Sequence, residues 1–249
     1  MKESKVILVG AGPGDPELIS VKGLRAIQTA DVILYDALSS EELLSEASDT
    51  AEIIYVGKRC TKHSLKQGDI NALIYQKSKT HRSVVRLKGG DPYIFGRGHE
   101  EQVYLEKRGV RVEVIPGISS VTSLASLQHV PLTRRGASES FWVLTGTTKD
   151  HQLSGDVLKA VHTDATLVIL MATRKLAMIS QLLIDAGKTE IPMMVIENGS
   201  KVEEKVFLGS PTDFLNGLSL EGPGIIVVGE VVALHPDFVK TYVIEERWK

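Results

Sequence analysis

Short apolar runs rich in β-branched residues recur along the chain, and stretches with a helical spacing of apolar positions separate them. This alternation predicts βαβ units and therefore an α/β fold. In the first half, we expect a largely parallel sheet. Its predicted strands are residues 5–9, 32–35, 52–56, 83–87 and 111–115, and its predicted helices are residues 18–28, 67–78 and 98–107.

The second half repeats the alternation with one difference. Asn198-Gly199 lies between two apolar runs and predicts a local hairpin, so we expect a mixed sheet there. The predicted strands are residues 141–145, 166–171, 193–197, 204–208 and 225–228, and the predicted helices are residues 153–161, 175–186 and 212–218. Pro116-Gly117 ends the first set of elements. We predict domains at residues 1–117 and 137–249, joined by a linker helix and loop at residues 118–136.

The composition is that of a globular protein large enough for two domains. Of the 249 residues, 43% are hydrophobic and 24% are charged. No apolar stretch approaches the roughly 20 residues that span a bilayer, so we expect no membrane segment and no signal peptide. The single cysteine, Cys60, has no intramolecular disulfide partner. That is typical of a reducing compartment, and we expect a cytoplasmic protein.

Positive charge is concentrated in the middle of the chain. Residues 57–111 contain thirteen Lys and Arg residues against five acids, which gives this segment a charge of +8, whereas the rest of the chain carries −10. Such an asymmetry favours an anionic partner that binds at one place. We do not expect nucleic acid to be that partner, because no recognised nucleic-acid-binding motif accompanies the segment.

A glycine-rich loop follows the first predicted strand and reads Gly10-Ala11-Gly12-Pro13-Gly14-Asp15-Pro16. The dinucleotide-binding fingerprint G-x-G-x-x-G requires its third glycine where Asp15 stands, and a carboxylate there would repel a pyrophosphate. The spacing therefore disfavours nicotinamide or flavin binding. The loop instead leaves a backbone edge open to a large flat ligand. We expect Pro13 to lie near a cofactor and Asp15 on the substrate side.

A second loop, residues 89–99, follows the fourth predicted strand. Gly89-Gly90 can expose backbone donors and acceptors to an adenosine or amino-acid group, and Asp91 can bind hydroxyls or an ammonium group. The phosphate-loop motif, H-E-x-x-H and G-x-S-x-G are all absent, and the seven histidines show no metal-ligand spacing. The sequence therefore predicts neither a metal site nor a serine hydrolase.

Eight motifs in order resemble the tetrapyrrole methyltransferase family, in the branch that methylates uroporphyrinogen III. They extend over essentially the whole chain. They are residues 9–16, 30–36, 56–59, 85–98, 114–120, 131–136, 195–199 and 225–231, of which Tyr35-Asp36, Val56-Gly57-Lys58-Arg59 and Arg86-Leu87-Lys88-Gly89-Gly90-Asp91-Pro92 are the most specific.

The resemblance implies two α/β domains enclosing a cleft, a homodimer, and S-adenosylmethionine as methyl donor with S-adenosylhomocysteine as product. It implies two methyl transfers to uroporphyrinogen III, giving precorrin-2 for sirohaem or cobalamin biosynthesis. The implied cofactor contacts are Pro13, Gly89, Gly90, Asp91, Ile94, Ser119, Ser120, Met171 and Gly199. The implied substrate contacts are Arg97, Glu100, Arg135 and Met171, to which our own interpretation adds Asp15.

The resemblance also implies the groups that handle the proton lost from the methylated carbon. Asp36 matches the family's proton acceptor and Lys58 its donor, and Arg97 matches a proposed alternative base. An arginine base requires a large fall from its usual pKa, so we expect Arg97 to be an orienting cation. A loop-capping role for Asp36 and a carboxylate-binding role for Lys58 stay open.

Four positions depart from the family pattern: His99, Arg134, Thr147 and Ala172 stand where glycine, histidine, histidine and glycine are usual. They put in doubt how the substrate is seated. Two other functions stay open: a methyltransferase acting on a later precorrin, and a non-catalytic nucleotide-binding module.

Overall fold

A computed structural model describes residues 4–57 and 66–241 of the chain. Within these two ranges, the ten strands are β1 Lys5–Gly10, β2 Val32–Tyr35, β3 Glu52–Tyr55, β4 Ser83–Lys88, β5 Arg111–Ile115, β6 Phe141–Thr145, β7 Thr166–Leu170, β8 Met193–Glu197, β9 Lys205–Gly209 and β10 Gly224–Val228. The helices are α1 Val21–Gln28, α2 Gln67–Thr80, α3 Gly98–Glu106, α4 Ser120–Leu127, α5 Gly155–Ala160, α6 Leu176–Asp185 and α7 Pro236–Thr241.

The chain divides into two compact units, Met1–Ser120 and Val121–Lys249. Both are α/β, as predicted. Our narrower boundaries, with a linker at residues 118–136, stay a prediction. That segment contains α4 and a turn in which the backbone of Arg134 pairs with that of Ser138.

The first unit is built on a parallel five-stranded sheet of order β3-β2-β4-β1-β5. Its central strands are buried on both faces, because one apolar cluster around Ile7, Ile33 and Val85 covers one side and a second around Leu8 and Ile74 covers the other. Such burial explains why these strands read as continuous apolar runs. The predicted parallel sheet is confirmed.

The first helix begins later than the sequence pattern suggested. Residues Pro16–Leu18 form a short 3₁₀ turn, and Ser20 then accepts a hydrogen bond from the Gly23 amide over 3.1 Å as the N-cap of α1. A side-chain cap of this kind satisfies one of the unpaired amides at a helix start. The helix predicted at residues 18–28 therefore begins at Val21, after a separate turn.

The second unit is built on a mixed sheet of order β6-β7-β10-β8-β9. Strands β6 and β7 are parallel, whereas β10 runs antiparallel to both β7 and β8, and β8 forms the predicted hairpin with β9. The mixed sheet is confirmed.

The predicted helix at residues 212–218 is wrong. Residues 211–216 form turns instead, because the Asp213 carboxylate accepts hydrogen bonds from both the backbone amide and the hydroxyl of Ser210. Side-chain bonds of this type compete with helical ones. The short C-terminal helix α7 had no counterpart among the predicted elements.

Candidate functional site

The loops that carry the sequence motifs of the first unit all follow the carboxyl ends of its parallel strands. These loops follow β1, β2, β4 and β5. Strand order reverses around β4 and β1, and ligands of open parallel sheets bind outside the carboxyl ends at such a reversal. The topology therefore brings the predicted motifs of this unit to one edge of one sheet.

Three of these loops pack with their backbones in direct contact. A Cβ on Gly10 would lie 2.7 Å from the Gly90 carbonyl oxygen, and a Cβ on Gly117 would lie 2.7 Å from the Gly10 Cα. The Gly90 amide also donates to the Gly12 carbonyl over 2.6 Å. Side chains at these positions would force the loops apart. The glycines are thus required by packing between loops as well as by turn geometry.

Asp91 fixes the loops after β4 and β5 to each other. Its Oδ2 accepts a hydrogen bond from the Gly117 amide over 3.0 Å, and its Oδ1 accepts one from the Tyr93 amide over 2.8 Å. The cofactor-binding role implied for Asp91 is therefore combined with a structural one. A carboxylate can accept further hydrogen bonds at both oxygens.

The surface around Gly90 is suited to a flat ligand. Gly90 has φ +63°, and a Cβ there would meet no heavy atom within 4 Å. Ile94 on the same loop is 40% exposed, whereas Ser119 in the loop after β5 is buried. The open space beside the Gly90 backbone and the apolar side chain of Ile94 fit the edge and the face of an adenosyl group.

Asp15 caps the turn that follows β1. Its Oδ1 accepts a hydrogen bond from the Glu17 amide over 2.8 Å, and Pro16 occupies the first position of the turn. This geometry accounts for an acidic residue at the third-glycine position of the nucleotide fingerprint. The half-buried Pro13 precedes it in the same loop.

Asp36 belongs to a buried network of charged side chains. Arg86 donates from Nη2 to Asp36 Oδ2 over 3.0 Å, and its Nε approaches Glu101 Oε1 at 3.4 Å. Lys88 donates to the same Glu101 oxygen over 3.1 Å. Arg86 and Glu101 are 3% and 0% exposed. The four formal charges sum to zero, which a site removed from water requires.

The network alters the proton affinity of its lysine. Burial, reinforced by the Arg86 cation, lowers the pKa of Lys88 below its usual value, although the Glu101 and Asp36 carboxylates act in the opposite direction. Arg86 and Lys88 are also buried, so the anionic partner that we inferred from the +8 segment does not account for these two charges. These two cations neutralise acids of the protein itself.

The sequence contained a signal for this network that we did not use. Arg86 and Lys88 stand two residues apart in an otherwise apolar strand, which places both side chains on the same face. Two buried cations on one face require buried acids nearby. Glu101, one helical turn into α3, was assigned no role in our sequence analysis.

Arg97 and Glu100 form a forked ion pair at the start of α3. Arg97 donates from Nε and Nη2 to the two Glu100 oxygens over 3.0 and 2.6 Å. These hydrogen bonds raise the pKa of Arg97 above its usual value and lower that of Glu100. A raised pKa opposes proton loss, which favours an orienting cation over a base at Arg97. Both side chains are more than half exposed.

In the second unit, Met171 and Gly199 follow the carboxyl ends of β7 and β8, which lie on either side of the first residues of β10. Met171 has φ +54° and is 53% exposed, and the Thr147 hydroxyl donates to its carbonyl over 2.6 Å. Positive φ at a non-glycine residue is uncommon and concentrates at functional loops. A Cβ at Gly199 would lie 2.6 Å from Leu124 Cδ2, so a larger residue would require the Leu124 side chain to shift.

Arg135 is placed apart from this edge. It lies exposed in the turn between Arg134 and Ser138, and the Ser138 hydroxyl contacts Thr166 at the beginning of β7. Met171 follows the other end of the same strand. Within the second unit, the structure therefore does not bring these two predicted substrate contacts together.

The structure shows what surrounds two further positions that depart from the family pattern, Ala172 and His99. Ala172 is fully buried, and a Cβ on Gly146 would lie 2.9 Å from its Cα. The His99 ring stands edge-on to Tyr93 with 6.1 Å between ring centroids. Lys58, the implied proton donor, lies outside the described residues.

Within residues 4–57 and 66–241, no group of three or more His, Cys, Asp and Glu side chains is arranged to hold a metal ion. No helix in the described part of the chain combines the length and apolarity needed to cross a membrane.

Comparison with known proteins gives a consistent result. Residues 5–213 match the family model for tetrapyrrole (corrin/porphyrin) methylases. The chain is 46% identical over 234 residues to the uroporphyrinogen-III C-methyltransferase of Methanocaldococcus jannaschii, covering 92% of this chain and 96% of that protein. It is 44% identical over 236 residues to the enzyme of the same name from Priestia megaterium, covering 92% and 98%.

A solved structure agrees with these relatives. The crystal structure of uroporphyrin-III C-methyltransferase from Thermus thermophilus in complex with S-adenosylhomocysteine has a TM-score of 0.81 and 37% identity to this chain. The match covers 93% of this chain and 100% of that one.

Proposed function

Because the chain belongs to the tetrapyrrole (corrin/porphyrin) methylase family, we propose that it transfers two methyl groups from S-adenosylmethionine to carbon atoms of uroporphyrinogen III. The product is precorrin-2, for sirohaem or cobalamin biosynthesis. The observation that carries the proposal is 46% identity to a uroporphyrinogen-III C-methyltransferase over nearly the full length of both proteins.

The proposed cofactor-binding residues of the first unit lie in the loops at the carboxyl edge of its sheet. Gly89, Gly90 and Asp91 would present backbone groups and a carboxylate, Ile94 an apolar surface, and Ser119 and Ser120 hydroxyls. The open space at the Gly90 Cβ position supports this assignment. Pro13, Met171 and Gly199 complete the proposed set. Bound S-adenosylmethionine supplies an electrophilic methyl group on a sulfonium.

The substrate is rich in carboxylates, which guanidinium groups bind best in a bidentate manner. We propose that Arg97 and Arg135 bind substrate carboxylates, with Asp15, Glu100 and Met171 as further contacts. Glu100 already holds Arg97 in a forked geometry, which aligns the remaining donors of the guanidinium before the substrate arrives.

Asp36 is the proposed acceptor of the proton that the methylated carbon loses. Its carboxylate lies directly after β2 and is 23% exposed, so it is accessible while its Oδ2 accepts from Arg86. Lys58 is the proposed proton donor and rests on the sequence resemblance alone. Arg97 contributes an orienting positive charge.

We also propose a homodimer located in the cytoplasm, with neither nucleic acid nor a membrane as partner. The homodimer rests on the family resemblance, the location on the single cysteine, and the other two statements on the absence of a nucleic-acid-binding motif and of a long apolar stretch in the sequence. Analytical ultracentrifugation of the purified protein tests the assembly: a single monomeric species at micromolar concentration would contradict it.

The direct test of the function is incubation with uroporphyrinogen III and S-adenosylmethionine carrying a labelled methyl group. We expect label in a product with two added methyl groups and formation of S-adenosylhomocysteine. Parallel reactions with later precorrins separate the alternative substrate. Label transferred only to a later precorrin would overturn the proposed substrate while leaving methyl transfer intact.

A non-catalytic nucleotide-binding module is the rival of another class. It predicts a rise in thermal unfolding temperature with a dinucleotide, whereas the proposed function predicts a rise with S-adenosylhomocysteine. The turn-capping carboxylate of Asp15 next to the backbone edge opposes a pyrophosphate there.

A further inference from the structure

Among the described residues of the first unit, Glu101 carries the most deeply buried charge, and the proposed chemistry does not use it. It is 0% exposed and lies on α3, on the side of the helix that faces the sheet. Three donors from two other elements reach its Oε1: Gln67 Nε2 at 3.0 Å from α2, and Lys88 Nζ at 3.1 Å and Arg86 Nε at 3.4 Å from β4. A buried carboxylate with this many fixed donors holds those donors in place.

Arg86 carries that constraint from Glu101 to the edge of the sheet. Its Nη1 donates to the Leu87 carbonyl over 2.8 Å and lies 3.4 Å from the Leu34 carbonyl, so backbone atoms fix one side of the guanidinium. Its Nε faces Glu101, and its Nη2 donates to Asp36 Oδ2. The planar guanidinium group cannot rotate freely once all three of its nitrogen atoms have hydrogen-bond partners.

Asp36 is therefore oriented at both oxygens. Arg86 holds Oδ2 at 3.0 Å, and the Leu38 amide donates to Oδ1 over 3.2 Å. The amide contact comes from the residue's own loop, whereas the arginine contact depends on Glu101. Among residues 4–57 and 66–241, Glu101 Oε2 accepts no hydrogen bond, so the carboxylate acts through the single oxygen that faces Arg86 and Lys88.

We propose that Glu101 is a positioning residue for methyl transfer, which acts through the Arg86 guanidinium to hold the Asp36 carboxylate in its reactive orientation. The inference rests on the proposed role of Asp36 as proton acceptor. Lys88 balances the second negative charge, so that the network stays neutral when the substrate excludes water from the edge of the sheet. Burial and the Arg86 cation together lower the pKa of Lys88, as expected for a crowded pair of buried cations, although the Glu101 and Asp36 carboxylates oppose this shift.

The consequence is a specific pattern of non-additivity. A residue that acts only through Asp36 has no effect once the Asp36 carboxylate is gone. The test compares wild type, Glu101→Gln, Asp36→Asn and the double variant. The glutamine keeps the size of the side chain and an acceptor oxygen but removes the charge. Glu106→Gln, at the exposed end of the same helix, is the matched control.

Turnover and binding are measured separately, with kcat and KM for uroporphyrinogen III and the Kd of S-adenosylhomocysteine by calorimetry. We expect Glu101→Gln to lower kcat about tenfold, as misplacement of a reacting group does, with KM and Kd within about twofold of wild type. In the Asp36→Asn background the same change should leave kcat unaltered. Glu106→Gln should match wild type throughout.

The Arg86→Lys variant replaces Glu101→Gln in this test if Glu101→Gln does not fold. It keeps the positive charge and loses the fork, so it should show the same loss of kcat and the same dependence on Asp36. An unchanged kcat in the folded variant, or an equal loss in the Asp36→Asn background, would overturn the inference. An Asp36→Asn variant as active as wild type would also overturn it, with methyl transfer itself intact. Failure of the proposed function is distinct, because wild type would then not methylate uroporphyrinogen III.

Discussion

The Asp91 carboxylate accepts a hydrogen bond from the Gly117 amide over 3.0 Å and thereby joins the loop after β4 to the loop after β5. The two residues are 26 positions apart in the chain, and a helix and a strand lie between them. The contact determines how far apart the two proposed cofactor-binding loops stand.

Asp91→Asn should weaken cofactor binding as well as stability. The amide keeps one acceptor oxygen, so one of the two backbone contacts, to Gly117 or to Tyr93, is lost. We expect a loss of about 1.5–3 kcal/mol in unfolding free energy, as for a hydrogen bond to a charged group, and a higher Kd for S-adenosylhomocysteine. Urea denaturation and calorimetry measure the two effects. Asp156→Asn, on an exposed helix start, is the control, and equal behaviour of both variants would contradict the assignment.

Gly117→Ala should disrupt the contact between the glycine loops. The added methyl group would lie 2.7 Å from the Gly10 Cα, and this neighbour is backbone that has no other rotamer. We expect destabilisation of about 1–3 kcal/mol, typical of overpacking, and loss of detectable cofactor binding. Gly68→Ala in α2 meets no heavy atom within 4 Å and should be neutral or stabilising. A cofactor affinity unchanged in Gly117→Ala would show that the loops can separate without consequence.

Thr147→Val removes the hydroxyl that donates to the Met171 carbonyl over 2.6 Å. The side chains have similar volumes, so packing is retained while the positive-φ turn at Met171 loses its partner. We expect a loss of about 1 kcal/mol in stability and weaker binding of S-adenosylhomocysteine. Thr80→Val, at the exposed end of α2, is the matched control. Wild-type affinity in Thr147→Val would argue against Met171 as a cofactor contact.

Lys88→Met should change how stability depends on pH. The pKa of Lys88 is lower in the folded protein than the 10.5 of an ordinary lysine, so the unfolded chain binds more protons between these two values. Folding stability therefore rises with pH in that window, and the penalty for burying the charge is largest below it. We expect the unfolding free energy of wild type, relative to that of Lys88→Met, to increase as pH is raised towards 10.5. Guanidinium unfolding at several pH values measures this difference, and a constant difference would contradict the prediction.

The Arg97→Lys variant should distinguish between two roles of Arg97, as an orienting cation and as a base. The lysine keeps a positive charge but cannot form the forked pair with Glu100 or bind a carboxylate through two donors. We expect KM for uroporphyrinogen III to rise about tenfold, the effect of roughly 1.4 kcal/mol, with less change in kcat. A collapse of kcat at unchanged KM would instead favour Arg97 as the base.

The sequence by itself determined the fold class, the two halves and most strand bounds. Buried parallel strands must be apolar on both faces, so runs such as residues 5–9 and 83–87 are recognisable without their partners. The Asn198-Gly199 turn was enough to predict the mixed second sheet. The predicted helix at residues 212–218 does not form, because local hydrogen bonds to the Asp213 carboxylate outweigh a weak apolar periodicity. The spacing of apolar residues alone does not reveal such competition.

Only the tertiary structure decided which acids the two cations of β4 contact. In the sequence, Arg86, Lys88 and Glu101 were part of a charged segment attributed to an anionic partner. In the fold, they form, together with Asp36, a buried network whose formal charges sum to zero. The separation of 15 positions between Arg86 and Glu101 along the chain carries no information about their distance in the fold. Only the packing of α3 on the sheet brings the carboxylate to the cations, because burial of any one of these charges is tolerated only beside the others.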